Sequence, residues 1–351
     1  MAASQAIERD EIVALARELS RRELAPLAPA LDERRPGALE QAWAHLVEAG
    51  FDRALLPPEL DGAGLEVGVL LSCLEELGAG EAGVALLALL SNLALAGLPP
   101  ERTARIEAGE RWALVPTPPA PVATPARVER HARPDDHPAL TGTLSPALGA
   151  LGATGVLLAL DGEGPALLAL DSGDPGLRFE ACEDQLGLRA AAAARITLRE
   201  VAAATGPEGG MTAAASLVLL RAGCAAIARG VARHAHELAA AYACTRLQGG
   251  VAIVEHDAVR RMLAAMEVGR ATVPTPAGVG LDEPATLIAK VAAAEAAVAT
   301  ATDAVQVLGG SGYMRETGAE KLMRDAKYLQ LWPEPPWVAE EAIVAATLEA
   351  A

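Results

Sequence analysis

Aromatic residues are scarce. Four Trp, three Tyr and two Phe make up 3% of the 351 residues. The apolar share, 52%, is therefore carried mainly by Ala and Leu. Both are strong helix formers, which disfavours a β-rich fold. Positive charge is also short, since 29 Lys and Arg face 46 Asp and Glu for a net charge of −17. Such a surface repels a phosphate backbone and an anionic bilayer, which argues against nucleic acid or membrane as general partners. The four cysteines (Cys73, Cys182, Cys224, Cys244) form no CxxC pair, so neither a zinc site nor a disulfide framework is expected and a cytoplasmic location is. The opening MAASQAIERDEIVALARELSRRELAP has no basic segment leading into an apolar one, so no signal peptide is expected. The apolar stretch Ala82–Leu98 is at the lower length limit for a bilayer span and carries Ser91 and Asn92. It is predicted to be a buried core helix rather than a membrane span.

What is present falls into three stretches, consistent with the two to three domains that this length suggests. Residues 1–110 read as helices. Glu11–Glu23 puts Ile12, Leu15, Ala16 and Leu19 on one face, and Pro26, Pro29 and Pro36 are predicted to break the chain after it. Leu39–Ala49 is a second helix, stopped by Gly50; Leu55–Gly64 (LLPPELDGAG) is turn chemistry; Val67–Leu77 and Ala82–Ala96 are apolar helices. Residues 111–208 change character. Prolines cluster there, and the short apolar runs Gly155–Leu160, Ala166–Leu170 and Arg195–Val201 read as strands. Residues 209–351 return to helix at Thr212–Thr245, Val254–Arg270, Ala285–Leu308 and Ala319–Gln330, with a Pro/Gly loop at Pro274–Pro284. Long helices with short connections predict an antiparallel bundle.

The most informative stretch is Asp303–Gln330, DAVQVLGGSGYMRETGAEKLMRDAKYLQ. Gly309, Gly310 and Gly312 allow backbone N–H groups to approach a ligand closely, and Gln306 just before them can donate and accept. No strand precedes a GxGxxG, so a dinucleotide fingerprint of that kind is not indicated. Arg315, Glu316, Glu320, Arg324 and Asp325 read as a solvated charged face. His234, His236 and Glu237 share a helix, but i and i+2 do not face each other, so no metal site is expected there. His256 and Asp257 read as surface or capping groups, and Trp332 and Trp337 as packing residues.

The order Q-x-L-G-G-x-G-Y followed by E-K-L-x-R-D-A-K closely resembles the C-terminal signature of the acyl-CoA dehydrogenase family. Leu55–Gly64 with Glu75–Glu76, Gln185–Val201 (QLGLRAAAAARITLREV) and Tyr242–Gln248 (YACTRLQ) resemble further family segments in the same order. The resemblance implies a mainly α fold with a middle β domain: an N-terminal helical domain (1–110), a small β-barrel or sandwich (111–208) and a C-terminal four-helix bundle (209–351). It implies FAD, an acyl-CoA substrate, a homo- or heterotetramer, and electron-transfer flavoprotein or a similar acceptor. It places Arg246, Gln306, Gly309 and Gly310, with Gln248 beside them, on the FAD of a neighbouring subunit.

The family commonly has Phe after that Gln, and this chain has Gly249. The segments that serve a chain's own flavin are poorly matched. Val115–Thr124 (VPTPPAPVAT) keeps only Thr117 of the expected T-E-P-x-x-G-S-D, and Leu140–Gly155 lacks the expected aromatic ring. The catalytic base belongs just after R-D-A-K, where Pro333 stands and Glu334 is one residue late. The family's other base position, before an arginine that looks like Arg221, holds Leu220. The resemblance therefore implies either an acyl-CoA dehydrogenase with Glu334 as a displaced base, or a catalytically deficient subunit that completes the FAD site of a second such chain.

Overall fold

The computed structural model describes residues 2–117, 127–131, 139–160, 166–202, 204–205, 211–275 and 281–349. Six helices come first: α1 (Ala2–Leu19), α2 (Ala25–Asp32), α3 (Ala38–Glu48), α4 (Val67–Gly80), α5 (Ala82–Ala96) and the short α6 (Pro100–Thr103). Ile12, Val13, Ala16 and Leu19 of α1 pack on the core, whereas Leu15 is exposed. At 100° per residue the buried stripe is centred near Ala16, and Leu15 falls off its edge. The prolines do not end this region as expected. A π-helical turn over Ser20–Leu24 joins α1 to α2 with helical dihedrals on both sides, Pro26 sits in the first turn of α2, and Pro29 lies inside it.

The middle region holds β1 (Trp112–Pro116), β2 (Arg127–His131), β3 (Ala139–Ala147), β4 (Gly155–Leu160), β5 (Ala166–Asp171), β6 (Leu177–Ala181), β7 (Ala194–Ala202) and β8 (Ala204–Thr205). They form two four-stranded sheets, ordered β1-β4-β5-β8 and β2-β3-β7-β6. β1 and β4 run parallel; the other pairs are antiparallel. In the first sheet both faces are buried. Leu114, Leu157, Ala159, Leu167 and Ala169 join the helical core, while Val115, Val156, Leu158, Leu168 and Leu170 join a second core with Leu144, Ile196 and Leu198 of the other sheet. Burial on both faces explains why β4 and β5 read as unbroken apolar runs rather than alternating ones.

The C-terminal region holds α7 (Ala213–Thr245), a hairpin of β9 (Leu247–Gln248) and β10 (Val251–Ala252), α8 (Asp257–Thr272), α9 (Glu283–Leu308), α10 (Ala319–Leu331) and α11 (Pro336–Glu349). Helix α11 has no counterpart among the helices expected from the sequence, although Pro336 opens it in the way proline opens helices. Both α7 and α9 are long and apolar enough to cross a bilayer, yet 72% of the most apolar window of α7 is buried inside the protein, as expected of a core helix. Cys73 and Cys224 are buried, Cys182 is half-buried and Cys244 is exposed; all four are free thiols.

Small residues set the closeness of α7 and its neighbours. A Cβ at Gly230 would come within 2.2 Å of the Glu75 carbonyl oxygen on α4. Gly230→Ala is therefore expected to cost about 1–3 kcal/mol, read as a lower denaturant midpoint. In α5, Asn92 is buried without strain on its polarity. Its Nδ2 donates to the carbonyls of Phe51 and Ala88, both at 2.8 Å, and its Oδ1 accepts from the Leu55 N–H at 2.8 Å. This apolar helix thereby holds the loop after α3 in place.

Candidate functional site

The residues singled out by sequence gather at two ends of the bundle. Helices α7 and α9 pack side by side. They run in the same direction, because Arg221 Nη1, near the start of α7, lies 2.9 Å from Glu283 Oε1 at the start of α9. Arg246 follows Arg221 by 25 residues, and Leu308 follows Glu283 by 25. Both stretches travel about 38 Å at the helical rise, so Arg246 and the Gln306–Gly310 turn emerge at the same end.

At that far end Arg246 caps α7. Its N–H donates to the Tyr242 carbonyl (2.9 Å) and its carbonyl accepts from Ile253 (2.8 Å). The guanidinium is exposed and has no hydrogen-bond or ion-pair partner among the described residues. Gly249 and Gly250 turn the hairpin with φ of +65° and +86°, a backbone region that side chains disfavour. The glycine in place of the expected Phe is thus a turn requirement. Gln248 is exposed, and its carbonyl lies 3.2 Å from His256 Nε2. Asp257 opens α8, and His256 precedes it without a side-chain cap.

Gln306 is exposed on the last turn of α9. Gly309 ends that helix at φ +61°, ψ −136°. A Cβ on Gly309 or Gly310 would meet nothing within 4 Å, whereas one on Gly312 would strike the Val305 carbonyl at 2.6 Å. The first two glycines therefore face open space and the third is a packing glycine. Tyr313 (79% exposed), Leu247 (70%), Met314 and Val251 are exposed apolar residues of the same turn and hairpin. Free donors amid exposed apolar surface are what a contact face looks like.

At the near end Glu334 lies between α10 and α11. Its carboxylate is buried, with Oε2 3.3 Å from Arg221 Nε and Oε1 without a hydrogen-bond partner. The two places where sequence looked for a base, beside Arg221 and after R-D-A-K, thus converge. Lys290 of α9, which sequence reasoning missed, is also buried. Its Nζ donates to the Gln330 carbonyl (2.9 Å) and to the Glu334 carbonyl, fixing the segment that carries the carboxylate. Burial pulls the Lys290 pKa down and pushes the nearby Cys224 thiol up to about 12, so that cysteine is inert as a nucleophile. Trp332 packs on the core, but Trp337 is 60% exposed, contrary to the packing role expected of it.

The charged run after Gly318 is not a solvated face. Arg324 grips Asp32 of α2 through both Nη atoms (3.0 and 2.8 Å) and Glu320 (2.6 Å), and donates to the Leu186 carbonyl. Lys321 lies 2.8 Å from Glu81 and 2.6 Å from Asp325, all three buried. Asp325 in turn accepts from the Leu188 N–H at 2.6 Å. These pairs tie α10 to α2, to the α4–α5 junction and to the loop before β7.

Comparison with known proteins gives this geometry a context. A model of the acyl-CoA dehydrogenase N-terminal domain matches residues 7–112, and one of the acyl-CoA dehydrogenase C-terminal domain matches residues 208–333. Cyclohex-1-ene-1-carbonyl-CoA dehydrogenase of Geobacter metallireducens is 32% identical over 91% of this chain and 92% of its own. The chain belongs to the acyl-CoA dehydrogenase family.

Two solved structures share the fold. Butyryl-CoA dehydrogenase from Megasphaera elsdenii superposes with a TM-score of 0.82 over 97% of this chain and 98% of its own, at 22% identity. An acyl-CoA dehydrogenase complexed with FAD from Bacillus anthracis gives 0.83 over 97% of this chain and 67% of its own, at 17% identity. Membership in this family implies oxidoreductase chemistry on acyl-CoA.

Whether an acyl-CoA dehydrogenase cofactor fits here depends on which end is considered. At the far end, an unpaired guanidinium, an exposed amide and two glycines with open space fit a nucleotide approaching from outside. On the side of the chain's own flavin the supply is thin. Thr117 lies 3.0 Å (Oγ1) from the Ala159 carbonyl, and Pro118–Thr124 are outside the described residues. In Leu140–Gly155, Leu140, Leu144, Ala147, Leu148 and Ala150 are buried as core, and no ring is present.

Proposed function

We propose that this chain works in the FAD-dependent α,β-dehydrogenation of an acyl-CoA thioester, as a cytoplasmic subunit of a tetramer that passes electrons to electron-transfer flavoprotein or a similar acceptor. The observation that carries this is the far end of the bundle. Arg246, Gln248, Gln306, Gly309 and Gly310 present free polar groups and bare backbone beside exposed apolar side chains. They would hold the pyrophosphate and adenosine of an FAD seated mainly in the adjoining subunit. In a symmetric assembly the adjoining subunit's matching end would in turn hold an FAD seated mainly in this chain, and that FAD would supply the acceptor for the β-hydride of a substrate placed at Glu334. Glu334 would take the α-proton: one carboxylate oxygen is pinned by Arg221, and the other has no competing partner. Lys290 holds the backbone of that segment in place.

A second reading is that the chain is the deficient member of a heterotetramer and completes the FAD site of another acyl-CoA dehydrogenase chain. The ring-free, core-packed Leu140–Gly155 segment favours it. Visible flavin absorbance separates the two. The first reading expects a yellow protein, with about one FAD per chain, when this chain is purified alone. The second expects flavin only after a partner chain is added. In either assembly Arg246→Ala is expected to weaken flavin retention about 10–100-fold, the value of one charge-assisted hydrogen bond lost, measured by flavin release on dilution. Unchanged retention would remove Arg246 from the cofactor site.

A further inference from the structure

Arg221 is buried on α7 and divides its guanidinium between two carboxylates. Nη1 lies 2.9 Å from Glu283 Oε1, whereas Nε lies 3.3 Å from Glu334 Oε2. Charge-assisted hydrogen bonds are ordinarily about 2.7–2.9 Å long, so the stronger of the two contacts is the one to Glu283. The carboxylates also differ in burial. The Glu334 side chain is 4% exposed and that of Glu283 is 64% exposed. A group on the rim therefore sets the position of the guanidinium that touches the buried carboxylate.

An exposed ion pair ordinarily contributes little, because both side chains are free to leave it. Here the glutamate stands on a fixed base. Glu283 is the first residue of α9, and Asp282 before it caps the helix, accepting from the Ala285 N–H at 2.9 Å. Thr286 Oγ1 donates to the Asp282 carbonyl, also at 2.9 Å. Pro284 follows directly and fixes φ in the first turn. Lys290 lies two turns further along the same helix face and holds the carbonyls of Gln330 and Glu334. Helix α9 thus fixes the main chain of Glu334 through Lys290 and the side chain through Glu283 and Arg221. Without Glu283, Arg221 and Lys290 would face Glu334 as their single buried carboxylate. Arg221 would then be free to place two N–H groups on Glu334. A two-pronged grip of that kind occupies both carboxylate oxygens, including Oε1, which has no partner now.

We propose that Glu283 is a positioning residue for the proton abstraction assigned to Glu334, a proposal that rests on that assignment. Through Arg221 it limits the guanidinium to one contact with Glu334 and leaves Oε1 open to the substrate. The residue acts from the surface and touches no reacting atom.

Glu283→Ala and Glu283→Gln, measured beside Glu334→Gln in the flavin-loaded assembly, test this. Glu283→Ala is expected to lower kcat about 10-fold and to leave KM within about two-fold of wild type. Glu283→Gln keeps an oxygen for Nη1 and should lose less. A charge that only favours the start of α9 would be lost equally in both variants. A second readout needs neither flavin nor substrate. In the full chain with isotopically labelled arginine, the Arg221 Nε–H resonance, assigned by its loss in Arg221→Lys, should move downfield in Glu283→Ala and stay near its wild-type position in Glu283→Gln. An unmoved or upfield-shifted resonance in Glu283→Ala overturns the proposal. If Glu334→Gln is inactive and Glu283→Ala is fully active, the base stands and the role of Glu283 alone falls. If Glu334→Gln turns over like wild type, the base assignment fails and this proposal falls with it.

Discussion

Glu334→Gln in the flavin-loaded assembly is expected to lower turnover by about 10²–10⁴-fold while leaving flavin content intact. Glutamine keeps the size of the side chain and still offers an oxygen to Arg221 Nε, so the buried packing between α7 and the segment before α11 is preserved. What it lacks is a carboxylate able to accept a proton. The test is informative because Glu334 is the buried carboxylate that the fold brings to Arg221, the arginine that Leu220 precedes in the sequence. Lys290 anchors the main chain of Gln330 and Glu334, so the variant side chain starts from the same backbone. Steady-state turnover with flavin occupancy measured on the same sample is the assay. Equal turnover in wild type and variant would mean that the proton goes elsewhere. This chain would then be the subunit that only completes a neighbour's cofactor site.

The elements that sequence predicted well are those whose burial is decided locally. Ala82–Ala96 is apolar on every side and is buried on nearly every side. The runs at β4 and β5 are continuous because both faces are covered. The exposed turn at Gly309–Gly310 is legible because Gly309 takes a positive φ and neither glycine is required by packing. What was hidden depends on partners far along the chain. Glu320, Lys321, Arg324 and Asp325 look like any amphipathic helix surface until α2, Glu81 and Leu188 are placed against them. Lys290 is the lone cation of the alanine-rich α9, and only the return of the chain after α10 gives it carbonyls to hold. Pro26 and Pro29 signal a break, yet both lie in α2, which a π-helical turn joins to α1 with helical dihedrals on both sides. Gly249 was a missing aromatic in one dimension and is a hairpin turn in three.

Lys321→Met should be the most destabilising single change in the molecule's ion network, at about 3–5 kcal/mol, because it leaves two buried carboxylates facing each other without a cation. Glu81 Oε2 and Asp325 Oδ2 approach Lys321 Nζ at 2.8 and 2.6 Å. Asp325 also accepts from Leu188 and Glu81 from Gly83, so neither can turn away to solvent without releasing a backbone contact. The pH dependence identifies the cause. Burial already raises the Glu81 pKa above its ordinary 4.5, and the neighbouring Asp325 charge raises it further while Lys321 opposes both. Without Lys321 the opposing influence is gone. A native-state carboxyl with a raised pKa binds more protons folded than unfolded, so its favourable contribution is complete below the unfolded pKa and is lost as pH rises through the folded one. The stability gap between wild type and Lys321→Met should therefore widen as pH rises through the raised pKa of Glu81 in the wild type and narrow again towards acid. Urea midpoints across that range measure it. Adding Glu81→Gln to Lys321→Met should recover much of the loss at neutral pH, since it removes the stranded charge without emptying the site. A single-variant loss that is flat with pH, or a double variant no better than the single, would show that Lys321 acts through packing of its alkyl chain rather than through its charge.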